Sequence, residues 1–226
     1  MPTKRHASAH EKEFEVERVI LFSDAVFAIA ITLLIIDIKF PELPEGRVEA
    51  DTLQLLRPTI FSFLAFALSF FFIGRSWSNH LRLFRMLRKY DQGLINRNLF
   101  FLFFIVTFPF AAAGIAGHVR GGFTIPIYIY IINLTLVSVA HFLLCQYVTH
   151  KKPWLMGEGE EPEKKFVYYT SLYIAVAMSA MTVVIVAVGL IYPGRESYIG
   201  YSCILMAPLL GLAKRLAQKY QPVEHS

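Results

Sequence analysis

The chain of 226 residues is 55% hydrophobic and only 17% charged, whereas soluble domains carry roughly 25% charged residues. Its apolar residues stand in several blocks of about 20, the length that crosses a bilayer, so the composition excludes an ordinary soluble domain. The net charge of +5 comes from basic residues between these blocks, which indicates membrane topology and not nucleic-acid binding.

Six apolar segments predict an all-α membrane protein with six transmembrane helices. They cover residues 19–38, 55–77, 98–117, 123–148, 166–192 and 197–213. The first segment is too long for a signal peptide and lacks a small-residue cleavage site, so we interpret it as a retained helix. The predicted organisation is a cytoplasmic tail over residues 1–17, a six-helix transmembrane domain over 18–213 and a second cytoplasmic tail over 214–226.

Basic residues are distributed unevenly between the two sides of the predicted topology. With the N-terminus inside, 17 of the 22 Lys and Arg residues fall in the inner segments. The positive-inside rule therefore predicts a multi-pass protein of the cell membrane with both termini in the cytoplasm. The longest outer segment, 39–54, contains the acids Glu42, Glu45, Glu49 and Asp51. These acids either concentrate cations at the outer surface or belong to a solvated loop with no such role.

The first predicted helix presents two different surfaces when its residues are placed on a helical wheel. One is an apolar stripe with a hydroxyl at its edge, and the other carries a carboxylate near the helix entrance. The stripe contains Arg18, Phe22, Ala25, Ile29 and Ile36, flanked by Thr32 and Leu33, while the second surface contains Asp24, Ala28, Ile31 and Ile35. From pattern alone, such a stripe indicates ordinary helix packing more often than function.

Asp24 lies inside the first apolar segment, where a carboxylate is costly and is a functional candidate by default. It requires a partner within the helix bundle. The candidates near the same inner boundary are Arg18, Ser23, Asn79 and His80. A histidine at this place is able to respond to pH, although a structural role is the more common one.

Enzyme motifs are absent from the sequence. It contains no HExxH, GxSxG, Walker loop or glycine-rich dinucleotide fingerprint, so we predict no catalytic residues and no cofactor. His141 and Cys145 are one helical turn apart, but two ligands are too few for a metal site. The carbonyl filter sequence TVGYG of common potassium channels is also missing.

Two motifs mark the start of the first predicted helix and the end of the second. The pattern RxxxFSD is formed by Arg18, Phe22, Ser23 and Asp24, and Trp77-x-x-His80 closes the second helix. With these motifs in a six-span chain of this size, the protein resembles the prokaryotic, single-repeat members of the transmembrane protein 175 family of potassium channels. The resemblance covers the whole six-helix length.

This resemblance implies a potassium-selective channel made of four identical subunits, in which the first helix of each subunit lines a central pore. In family members, hydrophobic side chains of the first helix form the constriction in place of a carbonyl filter, so the resemblance makes Ile29 the main constriction, continued by Leu33 and Ile36. It assigns Thr32 to a position where some relatives carry a hydroxyl linked to ion selectivity and others rely on apolar residues. It gives the RxxxFSD residues, with Trp77 and His80 as their partners, the role of holding the pore helix. The partners implied are K⁺ ions, the lipid bilayer and other copies of the chain.

Two other classes of function compete with the channel. A proton-coupled secondary transporter would use Asp24 and His80 as a relay, but six spans without an internal repeat are few for such a protein, and Asp24 lies away from the midplane. A membrane-embedded enzyme would need a catalytic constellation, which the sequence lacks. Passive, unitary currents too fast for a carrier would distinguish the channel from the transporter.

Overall fold

The structure is a computed structural model that describes residues 9–36, 38, 52–118, 125–157, 161–193 and 206–221. Its elements are helical apart from a single β-bridge between Leu87 and Met156. The α-helices are α1 (Ala9–Leu33), α2 (Thr52–Arg85), α3 (Gln92–Val106), α4 (Phe108–His118), α5 (Ile125–Gln146), α6 (Glu161–Ile191) and α7 (Met206–Gln218). The all-helical prediction is confirmed for this part of the chain. The acids of the predicted outer loop, Glu42, Glu45, Glu49 and Asp51, lie outside it.

Helices α1 and α2 extend beyond the apolar segments that predicted them. Helix α1 begins ten residues before the predicted span and ends at Leu33, and α2 continues from the predicted end at residue 77 to Arg85. The last turns of α2 are amphipathic, with Leu83 and Phe84 buried and Arg82 exposed. A helix satisfies its own backbone hydrogen bonds, so a change from apolar to amphipathic sequence does not end it.

The third predicted span is divided into two helices, α3 and α4, at Thr107. Pro109 has no N–H to donate and its ring clashes with the carbonyl four residues earlier, which breaks the helix here. The Thr107 hydroxyl lies 3.1 Å from the Phe104 carbonyl oxygen and 3.0 Å from Asn133 Oδ1, and Asn133 Nδ2 donates to the same carbonyl at 3.3 Å. Helix α5 thereby satisfies a carbonyl at the break.

Three hydrophobic clusters hold the described part of the bundle together, and the smallest joins α5 to α6 through Ile131, Met181 and Ile185. The central cluster joins α1, α2, α3 and α5 through the buried side chains of Phe27, Ile73, Phe101 and Leu134. The second cluster lies at the end of the bundle where α2 meets α3 and α5 meets α6, and Leu94 and Leu155 are fully buried there. The two connections at this end are tied by backbone hydrogen bonds, including Arg88 N to Leu155 O at 2.9 Å and Gly157 N to Met86 O at 3.1 Å.

Three helical segments in the described ranges are long and apolar enough to cross a membrane, namely 92–115, 125–151 and 161–191. They correspond to the third, fourth and fifth predicted spans. The sixth predicted span, 197–213, overlaps α7, which runs from Met206 to Gln218 and so enters the stretch predicted as a C-terminal tail.

Candidate pore helix and its anchoring network

Helix α1 is buried along one edge and exposed along another. Phe27 and Ala30 of α1, with Leu34 just after its last residue, are at most 4% exposed, because they face the central cluster. On the other edge, Ile29 is 57% exposed, and Ile36, in the turn that follows α1, is 65% exposed. The remaining stripe residues, Phe22, Ala25, Thr32 and Leu33, are exposed on the same edge. Within the described ranges, an apolar face of α1 is thus left uncovered by the other helices.

Thr32 contributes the hydroxyl on this face. Its Oγ1 donates to the Ile29 carbonyl oxygen at 2.9 Å, so the hydroxyl hydrogen is directed back along the helix. The lone pairs of the same oxygen remain available to accept a hydrogen bond or to approach a cation. The helix therefore presents an oxygen just after the exposed Ile29.

A chain of hydrogen bonds anchors the opposite edge of α1 to α2 and α3. The Ser23 hydroxyl donates to the Val19 carbonyl oxygen at 2.8 Å and accepts from Asn98 Nδ2 at 2.9 Å. Asn98 Oδ1 in turn lies 2.9 Å from His80 Nε2. Ser23 and Asn98 are at most 1% exposed, so the whole connection is shielded from solvent. Bonds of this kind strengthen one another in a low dielectric and fix the rotation of the helices they join.

The His80 ring is a structural donor in this network. Because Asn98 uses its amide nitrogen on Ser23, its oxygen is the acceptor and His80 Nε2 must carry the hydrogen. His80 Nδ1 is buried without a hydrogen-bond partner, which suits a bare lone pair better than a second N–H. The ring also stacks on Phe84, with centroids 4.1 Å apart. These contacts favour the neutral Nε2–H tautomer.

Asp24 is bonded to Trp77, which the resemblance named among the partners of the RxxxFSD residues. Its Oδ1 accepts from the indole Nε1 of Trp77 at 2.8 Å. The other expected bonds are wrong, because His80 is bound to Asn98, Ser23 donates to the backbone, and the described contacts include no bond from Arg18 or Asn79 to Asp24. Trp77 is only 38% exposed, and its indole N–H faces α1 because α1 and α2 pack along this edge.

Asn98 is the functional residue that the sequence analysis missed. It stands at the start of the third apolar segment, where an amide among apolar residues required a partner. That signal was present, but its partners, His80 and Ser23, lie 18 and 75 residues earlier in the chain.

In the described ranges, no group of three or more His, Cys, Asp or Glu side chains is placed to hold a metal ion.

Replacing Trp77 with Phe is expected to destabilise the protein by about 1–3 kcal/mol, because Asp24 loses a charge-assisted hydrogen bond while the packing of the ring is largely kept. The measurement is thermal unfolding of the purified protein in detergent. Trp154→Phe is the matched control, since Trp154 is 51% exposed at the end of the bundle. Equal unfolding temperatures for the two variants would show that the Trp77–Asp24 bond contributes nothing.

Comparison with known proteins shows that the chain is similar to proteins named as potassium channels. Residues 18–109 match the family described as "Endosomal/lysosomal potassium channel TMEM175". A potassium channel of a Chryseobacterium species is 29% identical over 178 residues, which span 77% of this chain and 88% of the relative. A potassium channel of Streptomyces collinus is 36% identical over 125 residues, which span 54% of this chain and 58% of the relative.

The fold supports the same resemblance. The crystal structure of a lysosomal potassium-selective channel TMEM175 homologue from Chamaesiphon minutus superposes with a TM-score of 0.56, covering 91% of this chain and 96% of that one at 22% identity. At this identity the likeness shows the fold alone, which is helical. Residues 18–109, which include the RxxxFSD motif, are thus similar to the transmembrane protein 175 family, as the motif indicated.

Proposed function

We propose that this chain is one subunit of a homotetrameric, potassium-selective channel that conducts passively through a central pore lined by α1. The observation that carries the proposal is the exposed stripe of α1, with Ile29 at its centre, on a helix whose other edge is locked into the subunit. The names of the bacterial relatives support potassium as the permeant ion.

The exposed stripe explains why several copies are needed. A single α1 cannot surround an ion, whereas four copies around one axis would bring four Ile29 side chains to one level. An apolar ring of this kind opposes ion passage because the ion must shed or squeeze its hydration shell. The Thr32 oxygens, one turn further along, would replace part of the lost water. Leu33 and Ile36 would continue the narrow stretch.

The proposed topology has six spans and places both termini in the cytoplasm. The backbone bonds that tie residues 86–89 to residues 155–157 support it, because they bring together two connections that the basic residues assigned to the inner side. Lys214 on α7 and Arg75 on α2 line the same cavity, which supports an inner location for the end of α7 as well. The predicted location is the cell membrane.

The network geometry disfavours the transporter alternative. A relay between Asp24 and His80 requires the two groups to exchange a proton directly or through water. Each of them is instead bound to another side chain, Asp24 to Trp77 and His80 to Asn98. The neutral His80 tautomer has its hydrogen committed to Asn98, which gives it a structural role.

The proposal is tested with purified protein in planar bilayers under bi-ionic K⁺ and Na⁺ conditions, together with the native mass of the protein in detergent. We expect a tetramer that passes unitary currents with a reversal potential favouring K⁺. A monomeric mass, or substrate movement at carrier rates without unitary currents, would contradict the proposal.

Thr32→Ala is expected to reduce the preference for K⁺ over Na⁺ by several-fold while conduction persists, because the lost oxygens no longer offset ion dehydration. The measurement is the bi-ionic reversal potential. Thr182→Ala is the control, since the Thr182 hydroxyl lies 2.6 Å from that of Thr135, between α5 and α6 and away from α1. If both variants keep the parental reversal potential, Thr32 has no part in selectivity.

A further inference from the structure

A cavity of about 140 Å³ lies between α2, α5, α6 and α7, towards the end of the bundle that we propose is cytoplasmic. One buried water needs roughly 10–15 Å³ on such a measure, so the cavity has room for several non-hydrogen atoms of a ligand. All four helices that line it lie outside α1. It is therefore separate from the proposed pore face.

The walls of the cavity divide into an apolar part and a hydroxyl-bearing part. Phe72, Val137 and Met178 form part of the apolar wall. Among the polar residues, the hydroxyl oxygen of Thr170 is buried and has no hydrogen-bond partner within the protein. A buried hydroxyl without a partner is unfavourable, so this group requires water or a ligand in the cavity.

The mouth of the cavity is basic. Arg75 and Arg82 of α2 and Lys214 of α7 all line it, and the side chains of Arg75 and Lys214 are exposed. Arg82 Nε lies 3.9 Å from Glu163 Oε1, and its guanidinium lies over the ring of Phe166. Arg75 and Lys214, which belong to different helices, line the same cavity and add two further positive charges.

We propose that this cavity binds an anionic phospholipid of the inner leaflet. Its phosphate would lie between Arg75 and Lys214, a headgroup or ester oxygen would meet the Thr170 hydroxyl, and the first methylenes of an acyl chain would follow the apolar wall. The combination of cations, a buried hydroxyl and an apolar surface matches an amphiphile better than a free anion. Basic pockets between transmembrane helices on the cytoplasmic side suit anionic headgroups. The inference rests on the proposed membrane orientation.

The test is native mass spectrometry of the full-length protein in detergent, titrated with phosphatidylglycerol, phosphatidylcholine or inorganic phosphate. We expect saturable binding of phosphatidylglycerol and little binding of the other two probes. Arg75→Ala with Lys214→Ala is expected to weaken this binding about thirtyfold, since each basic residue near an anionic surface contributes about a factor of five. Thr170→Val, which keeps the volume, is expected to weaken it about fivefold.

Arg85→Ala with Arg215→Ala is the matched control, because it removes the same charge from the same two helices at exposed positions that do not line the cavity. This variant is expected to bind phosphatidylglycerol within about twofold of the parent. Equal losses in both double variants, equal binding of phosphatidylcholine, or inorganic phosphate bound as tightly as the lipid would each overturn the proposal. The measurement needs no current, so a protein that binds lipid but does not conduct would contradict the channel proposal alone.

Discussion

Replacing Ile29 with Asn is expected to raise conductance about tenfold and to lower the preference for K⁺ over Na⁺. Ile29 is 57% exposed at the middle of the α1 stripe, and in a fourfold pore one substitution changes four side chains at one level. Amide groups would keep water in the ring, so the dewetting barrier would fall, and a decrease of about 1.4 kcal/mol is sufficient for a tenfold rate. Single-channel recording and the bi-ionic reversal potential measure the two effects.

Ile31→Asn is the control for this prediction. Ile31 is two positions further along α1 and packs against the central cluster, so an amide there is expected to reduce folding and tetramer yield without changing selectivity. If Ile31→Asn shifts the reversal potential and Ile29→Asn does not, the pore face lies half a helical turn away from the stripe.

Replacing Asn98 with Ala is expected to destabilise the protein by about 2–4 kcal/mol, because it removes two buried hydrogen bonds and leaves the His80 N–H without an acceptor. Asn96→Ala is the matched control on the same helix, since Asn96 is exposed and bonds only to the nearby side chain of Gln92 among the described contacts. Thermal unfolding in detergent and the yield of tetramer measure the difference. Similar values for the two variants would mean that the network does not stabilise the bundle.

A double-mutant cycle separates the bond between Ser23 and Asn98 from the rest of the network. Because the two residues share one hydrogen bond, the effects of Ser23→Ala and Asn98→Ala are expected to be non-additive by about 0.5–3 kcal/mol. Ser23 precedes Ile29 by six residues, which is about 9 Å along a helix. Loosening this anchor is therefore also expected to broaden the distribution of single-channel conductances, since the proposed constriction at Ile29 is only a short distance away.

The sequence by itself determined the features that depend on local chemistry. The exposed stripe of α1 follows from the helical repeat, which places Ala25, Ile29 and Thr32 on one edge whatever the surroundings. The edge that packs into the bundle, with Phe27 and Ala30, was not one of the two predicted surfaces, and Ala28 and Ile35 of the second predicted surface are exposed. The helical class follows from the long apolar segments, because backbone groups in a membrane must be satisfied within their own segment. The resemblance to the transmembrane protein 175 family was recognisable from the RxxxFSD residues of the first helix and from Trp77 and His80 on the second.

Tertiary structure alone decided which side chains meet and where the helices end. Asp24 and its partner Trp77 are 53 residues apart in the chain, and Ser23 and its partner Asn98 are 75 residues apart. Which of these side chains meet therefore depends on how α1, α2 and α3 are rotated against one another. His80 was one of several candidate partners for Asp24 because both lie near one predicted boundary, but depth in the membrane does not determine the side of a helix. That choice is made by the packing of Phe27 and Phe101 in the core, which turns His80 towards Asn98 and leaves Trp77 beside Asp24.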